Sequence, residues 1–205
     1  MFKSLSLKVI IFGFIFTFFS SFGQSFFIGL FNPSVRDTLN ISHGQFGSIY
    51  ATATLLSSFL FIWVGKKIDD INVLRFALYV TVLLSFSCFF FSKISSIVFL
   101  FIAIFLMRFS GQGMMSHTAS TTISRYFTKS RGKALSIGWF GLSVAEFILP
   151  VTIIYLLTIY NWQNIWIFIS LLVLVFLPIA SYFLIKELNL DSRENAENNE
   201  VKNKD

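Results

Sequence analysis

Charge is what this sequence has least of. Only 13% of its 205 residues are charged, about half the ~25% of a soluble domain. By contrast, 55% are hydrophobic and 28 are Phe. The apolar residues form long runs rather than periodic faces, which excludes a water-soluble globule and makes the bilayer the solvent. The single cysteine, Cys88, lies inside an apolar run and leaves no disulfide framework and no zinc site. Two histidines leave little material for metal chemistry, and no cofactor is expected. A net charge of +6 would suit nucleic acid, but the basic residues fall in short gaps between apolar runs. That distribution is a topology signal, so no nucleic-acid partner is expected.

What is present is membrane-length apolar sequence. Lys3 and Lys8 ahead of an apolar stretch could open a signal peptide, but the stretch from Val9 to Phe31 far exceeds the ~7–15 residues of a signal core. It reads as a retained span. Crossing the ~30 Å hydrocarbon core takes roughly 20 residues of helix. Six segments qualify: 9–31, 45–64, 74–92, 96–118, 134–158 and 165–185. Asn32-Pro33 is expected to stop the first helix, because proline breaks the hydrogen-bond ladder. Ser42-His43-Gly44-Gln45 fits a capping box that opens the second.

Basic residues orient the chain. One side receives Lys3, Lys8, Lys66, Lys67, Arg75, Arg125, Lys129, Arg131, Lys133 and Lys186; the other receives Arg36 and Lys93. Ten against two places the N-terminus and the chain after the sixth span in the cytoplasm, with the bacterial inner membrane as the expected location. Attraction of Lys129, Arg131 and Lys133 to anionic lipid is a secondary expectation. Tyr160, Trp162 and Trp166 are expected at the outer interface as an aromatic belt. Two domains follow: a six-helix membrane unit over 1–186 and a polar tail over 187–205 with too little apolar surface to fold.

Lipid gives helices no hydrophobic reason to associate, so small residues mark contacts and polar residues mark interior faces. The first span carries Gly13, Thr17, Ser20, Ser21 and Gln24 on one stripe, and the second carries Gly47, Ala51, Thr54 and Ser58. Arg108, Gly111, Gln112 and Met115 lie on the fourth; Gly138, Gly141, Ala145 and Glu146 lie on the fifth. The third and sixth have little beyond Thr81, Ser85 and Ser170. Spans one, two, four and five are therefore expected around a cavity or partner surface, with three and six peripheral. Tight packing alone is the competing account of the Gly and Ala positions.

Arg108 and Glu146 are the sharpest features. A charge at the bilayer centre costs about 2.5–3.5 kcal/mol for Arg, so it turns inward and seeks a partner. Each lies about 12 residues from its end of the span, or roughly 18 Å deep. Either they form an ion pair, which could be purely structural, or Arg108 receives an anionic group of a solute.

The loop Gly65-Lys66-Lys67-Ile68-Asp69-Asp70-Ile71-Asn72 is similar to the major facilitator superfamily signature G-x-x-x-D-[RK]-x-G-[RK]-[RK]. Gly65 and Asp69 match; Asp70 stands where a basic residue is usual, and the trailing basic pair is reduced to a displaced Arg75. Asn72 replaces a glycine, a swap compatible with left-handed backbone geometry. Arg108-Phe109-Ser110-Gly111-Gln112-Gly113 resembles the family's membrane-embedded R-x-x-x-G element. Arg131-Gly132-Lys133-Ala134 and the stretch from Gly141 to Pro150 resemble its basic loop and its fifth helix. A bacterial subgroup of the family reads much like residues 22–31, 42–47 and 111–118, with a glycine where this chain has Ala145. The resemblance covers about residues 9–186.

The resemblance implies an all-α N-terminal half of a secondary active transporter, a symporter or antiporter working by alternating access. It implies spans one and four lining the cavity, and two and five meeting the other half through positions such as Gly141, Ala145 and Pro150. Gly65, Asp69 and Arg75 would form the conformational gate, and Arg108, Glu146, Gln24 and Gln112 would couple to a small solute or ion. A complete family member has about twelve spans. A truncated gene, a second half on another polypeptide or a homodimer are the expected explanations, in that order, and a non-transporting scaffold that needs a partner chain is the alternative.

Ser110-Gly111-Gln112-Gly113 in the fourth span also suggests an intramembrane serine protease. Such an enzyme needs a histidine on a later span to activate the serine, and the only histidines are His43 and His117. The chain is not expected to be an enzyme, and His117 is expected to cap or join helices. The midplane arginine leans toward an anionic solute and Glu146 toward proton coupling.

Overall fold

The computed structural model describes residues 4–188. Residues 189–205, most of the expected polar tail, and Lys3 lie outside the described residues. Among the described residues there is no strand, and six helices are long and apolar enough to cross a membrane. These are Leu5–Gly23, His43–Ile68, Val73–Ser92, Ile97–Tyr126, Arg131–Leu157 and Trp162–Ile185, here called spans one to six. All six expected spans are present, and the second opens on the expected box. Ser42 Oγ accepts from the Gln45 amide at 3.2 Å, while the Ser42 amide donates to Gln45 Oε1 at 2.8 Å. Two of the four orphan amide donors at the helix start are thereby satisfied.

The first span departs from expectation at its far end. The apolar run continues to Phe31, but the helix tightens into a 3-10 turn at Ser21–Gly23 and Gln24 is extended, with φ −83° and ψ 155°. A short helix, Ser25–Leu30, resumes the direction. Asn32-Pro33 does not simply stop the chain: proline sits in the first turn of a further helix, Asn32–Leu39, where its missing amide costs nothing. Asn40, left-handed at φ 52°, closes that helix. The fourth span runs on to Tyr126, well past residue 118, and its middle widens into a π-helical stretch, Arg108–Met115.

Packing follows the small residues. Span one lies along span five and the lower part of span four, span three along span six, and span two along span four. Gly138 and Gly141 let spans one and five meet backbone to backbone: a Cβ on Gly141 would fall 2.1 Å from the Phe14 carbonyl oxygen. Thr17 fixes the register by donating to the Gly138 carbonyl at 2.7 Å. Ser85 and Ser170 join spans three and six through reciprocal bonds to each other's carbonyls, both 2.9 Å.

The bundle is covered unevenly. In their most apolar stretches, spans one, three and four are 56%, 50% and 50% buried, but spans two and five only 11% and 17%. On span two the exposed face includes Gly47, Ala51 and Ser58, as the small-residue stripe suggested. On span five the expectation fails: Gly138, Gly141 and Ala145 are buried inside the chain, and larger residues such as Phe140 and Phe147 face outward.

The aromatic residues after span five also sit differently. Tyr160 is exposed, but Trp162 and Trp166 are buried rather than lying in an interfacial belt. Trp166 packs against Phe27, Phe31 and Phe91 with ring centroids 5.4, 4.9 and 4.8 Å away. The cluster anchors the segment beyond the span-one break onto spans three and six.

Candidate functional site

Two interruptions of regular helix meet at one level of the bundle. A Cβ on Gly23, at the break in span one, would lie 2.3 Å from the Met107 carbonyl oxygen and 2.7 Å from the Gly111 Cα. Gly111, inside the wide turns of span four, would meet Gly23 backbone in the same way. Only paired glycines allow this approach. The turn into extended Gln24 also takes the Gly23 carbonyl out of the helical ladder, leaving an acceptor inside the membrane that must be satisfied. Arg108 satisfies it: its Nη1 donates to Gly23 at 3.0 Å and to Ser25 Oγ at 3.3 Å. Tyr50 of span two completes the set, with its hydroxyl donating to Ser25 Oγ at 2.8 Å and its ring 5.4 Å from the guanidinium carbon.

Arg108 therefore has partners, but none is acidic among the described residues. The expected ion pair with Glu146 is not formed: Glu146 is exposed on the outer side of span five, whereas Arg108 is buried between spans. The ion pairs among the described residues lie at the basic end of the bundle, at Lys8–Glu187, Lys67–Asp70 and Arg125–Asp69. Pro150, one turn after Glu146 and inside the helix, has no amide to offer the Glu146 carbonyl. Carboxylate and freed carbonyl thus lie together on span five.

From Arg108 a groove of about 360 Å³ runs between spans two, four and five toward the basic end. Span four contributes a polar stripe at a spacing of four, Arg108, Gln112, Ser116 and Ser120, flanked by Phe109, Gly113 and His117. Span two adds Ser57, Ser58 and Phe61, and span five adds Trp139, whose indole donates to Ser120 Oγ at 3.0 Å. Neither Gln24 nor Glu146 lines this groove, and span one does not either. Its polar stripe is turned into the bundle, with Thr17, Ser20 and Ser21 fully buried. Two buried side-chain atoms of groove residues lack a partner, Arg108 Nε and Ser116 Oγ.

At the basic end, His117 joins spans two and four, with Nε2 3.0 Å from the Gly65 carbonyl oxygen and its ring edge-on to Phe61 at 5.3 Å. One turn on, Asp69 pairs with Arg125 of span four rather than with Arg75, which is exposed. Arg125 also reaches the Ile68 carbonyl at 3.4 Å. Asn72 is not left-handed: at φ −53° and ψ 130° it caps span three, accepting from the Leu74 amide at 3.0 Å.

Sequence reasoning missed Ser25, Tyr50, Ser116 and Trp139. The spacing of four along Arg108, Gln112, Ser116 and Ser120 was a visible signal for the span-four wall. Nothing local marked Tyr50 or Ser25, which reach Arg108 across the bundle.

No curated protein and no solved structure matches the chain. The sequence model of one family, described as the Major Facilitator Superfamily, matches residues 13–204. That match extends over most of the sequence and agrees with the six membrane-length helices, so the chain belongs to the Major Facilitator Superfamily.

Proposed function

We propose that the chain is the six-helix half of a secondary active transporter that moves a small solute by alternating access. The observation that carries this reading is the groove that leads from the basic end to a buried arginine, at the level where two spans lose regular helix. Interrupted helices expose backbone and polar groups at membrane depth only where protein or a watery cavity can satisfy them. The positive-inside rule supports cytoplasmic termini in a bacterial inner membrane, with the groove in this state opening to the cytoplasm. The nearly bare faces of spans two and five support a second six-helix half as the partner.

Within this reading, Asp69–Arg125 and His117–Gly65 hold the basic ends of spans two and four together and part during the cycle. Glu146 is the proton-coupling candidate: an exposed carboxylate in mid-span beside a carbonyl that lacks its helical donor. The test is solute uptake by proteoliposomes holding the chain with its partner half, driven by a proton gradient. Gradient-dependent uptake that Arg108→Ala abolishes is the expected result. Absence of uptake with any partner half and any solute would overturn the proposal.

A further inference from the structure

We propose, on the reading of the chain as a solute transporter, that the groove takes a small organic monocarboxylate whose carboxylate docks on the free edge of Arg108. Three observations lead there. Arg108 is only 7% exposed and no acidic side chain pairs with it among the described residues, so its charge is answered only by a carbonyl, a hydroxyl and an aromatic face. A buried charge in a membrane span calls for a counter-charge, and here none comes from the described chain.

Second, the guanidinium has a donor to spare. Nη1 is held by Gly23 and Ser25, whereas Nε has no partner. The edge of a guanidinium that includes Nε is one that takes a carboxylate in a paired, planar fashion. Ser116 Oγ, two turns further along the same stripe, is a second buried group without a partner in the wall of the groove.

Third, the lining fits an organic monoanion better than an inorganic one. It holds one guanidinium and no carboxylate, and its one imidazole, His117, already faces the Gly65 carbonyl, so Arg108 is the group left to balance a single negative charge. Phe61, Phe109 and Trp139 supply apolar and aromatic wall with only one N–H among them, which suits a hydrocarbon body. The hydroxyls of Ser57, Ser58, Ser116 and Ser120, the Gln112 amide and the His117 ring supply the polar part of the wall.

The experiment is calorimetric titration of the full chain in lipid nanodiscs with propionate, butyrate and benzoate. Their neutral amides, chloride and inorganic phosphate are titrated alongside. At least one carboxylate is expected to bind, with its amide and the inorganic ions weaker by about tenfold or more, the loss of a charged hydrogen-bonded pair. Arg108→Gln is expected to remove that preference. Arg108→Lys, which keeps the charge but not the fork, is expected to fall between. Equal binding of acid and amide, a preference for chloride or phosphate, or no binding of any carboxylate would overturn the assignment, and none of these comparisons requires a variant to fold. Carboxylate binding without uptake by the reconstituted transporter would keep this site and end the transport reading. Uptake of neutral solutes without carboxylate binding would do the reverse.

Discussion

Where span one meets spans four and five, backbone touches backbone: Gly23 lies on Gly111, Gly141 on Phe14, and Thr17 spends its hydroxyl on two carbonyls. Where span two faces spans four and five, the same bundle leaves a groove of about 360 Å³ and buried polar atoms without partners. Both seams contain small and hydroxyl-bearing residues, so composition alone does not separate them. The difference lies in whether the space is closed: the first seam leaves one buried hydroxyl, Ser21 Oγ, without a partner but is shut by backbone contact, whereas the second leaves its unpartnered atoms beside an open groove. A seam shut by backbone contact serves folding. A seam that leaves Arg108 Nε and Ser116 Oγ beside an open groove is the one the proposed solute site uses.

The sharpest way to break this contrast is at the glycines. Gly23→Ala and Gly141→Ala force a methyl group onto backbone atoms that cannot swing aside. Each is expected to cost about 1–3 kcal/mol, or to abolish folding, read as a drop in unfolding temperature in detergent. Gly47→Ala on span two, where a Cβ meets nothing within 4 Å, is expected to leave it unchanged. Equal stability of all three variants would erase the distinction between the seams.

Arg108→Gln probes the open seam. Thermal stability should fall, because the Gly23 carbonyl loses its donor, and solute uptake, compared at equal amounts of folded protein, should fall about tenfold or more with the loss of charged hydrogen bonds. Unchanged uptake per folded molecule would make Arg108 a folding residue only. Smaller still is the contrast between Thr17→Val and Ser116→Ala. The first removes a bond between helices and should lower stability by about 0.6 kcal/mol, the usual size of such bonds in membranes. The second removes a hydroxyl with no partner and should not. Asp69→Asn is expected to be small as well: a half-exposed ion pair contributes about 0.2–1 kcal/mol, so unfolding should barely shift. If the pair acts as a gate, the accessibility of the basic-end groove mouth should change instead.

Much of the architecture was legible because its causes are local. Hydropathy marked six spans, and Ser42 with Gln45 marked a helix start that needs no distant partner. The break at Gln24 was not legible, because the apolar run passes through it unchanged and the cause is a tertiary contact with Gly111. Arg108 stood out as a midplane charge, but side-chain reasoning sought a carboxylate, and the partner turned out to be a backbone carbonyl freed by that same break. Counting residues along straight helices brought Glu146 to the right depth but said nothing of its rotation, which carries it to the outer face. The aromatic pair Trp162 and Trp166 fitted a belt by composition, yet phenylalanines of span three and of the segment after span one pack on them. Arg125 is the partner that Asp69 finds because span four extends further than its hydropathy suggested.

The most direct test is thiol labelling of single-cysteine variants in intact membranes, with Cys88 replaced by alanine. Ser58→Cys and Ser120→Cys lie in the groove, whereas Ser85→Cys lies in the sealed contact between spans three and six. A water-soluble maleimide should label the first two from the side bearing the basic loops and leave the third untouched. If Ser58→Cys and Ser120→Cys prove as unreactive as Ser85→Cys, the open seam is closed packing and no solute path leads to Arg108.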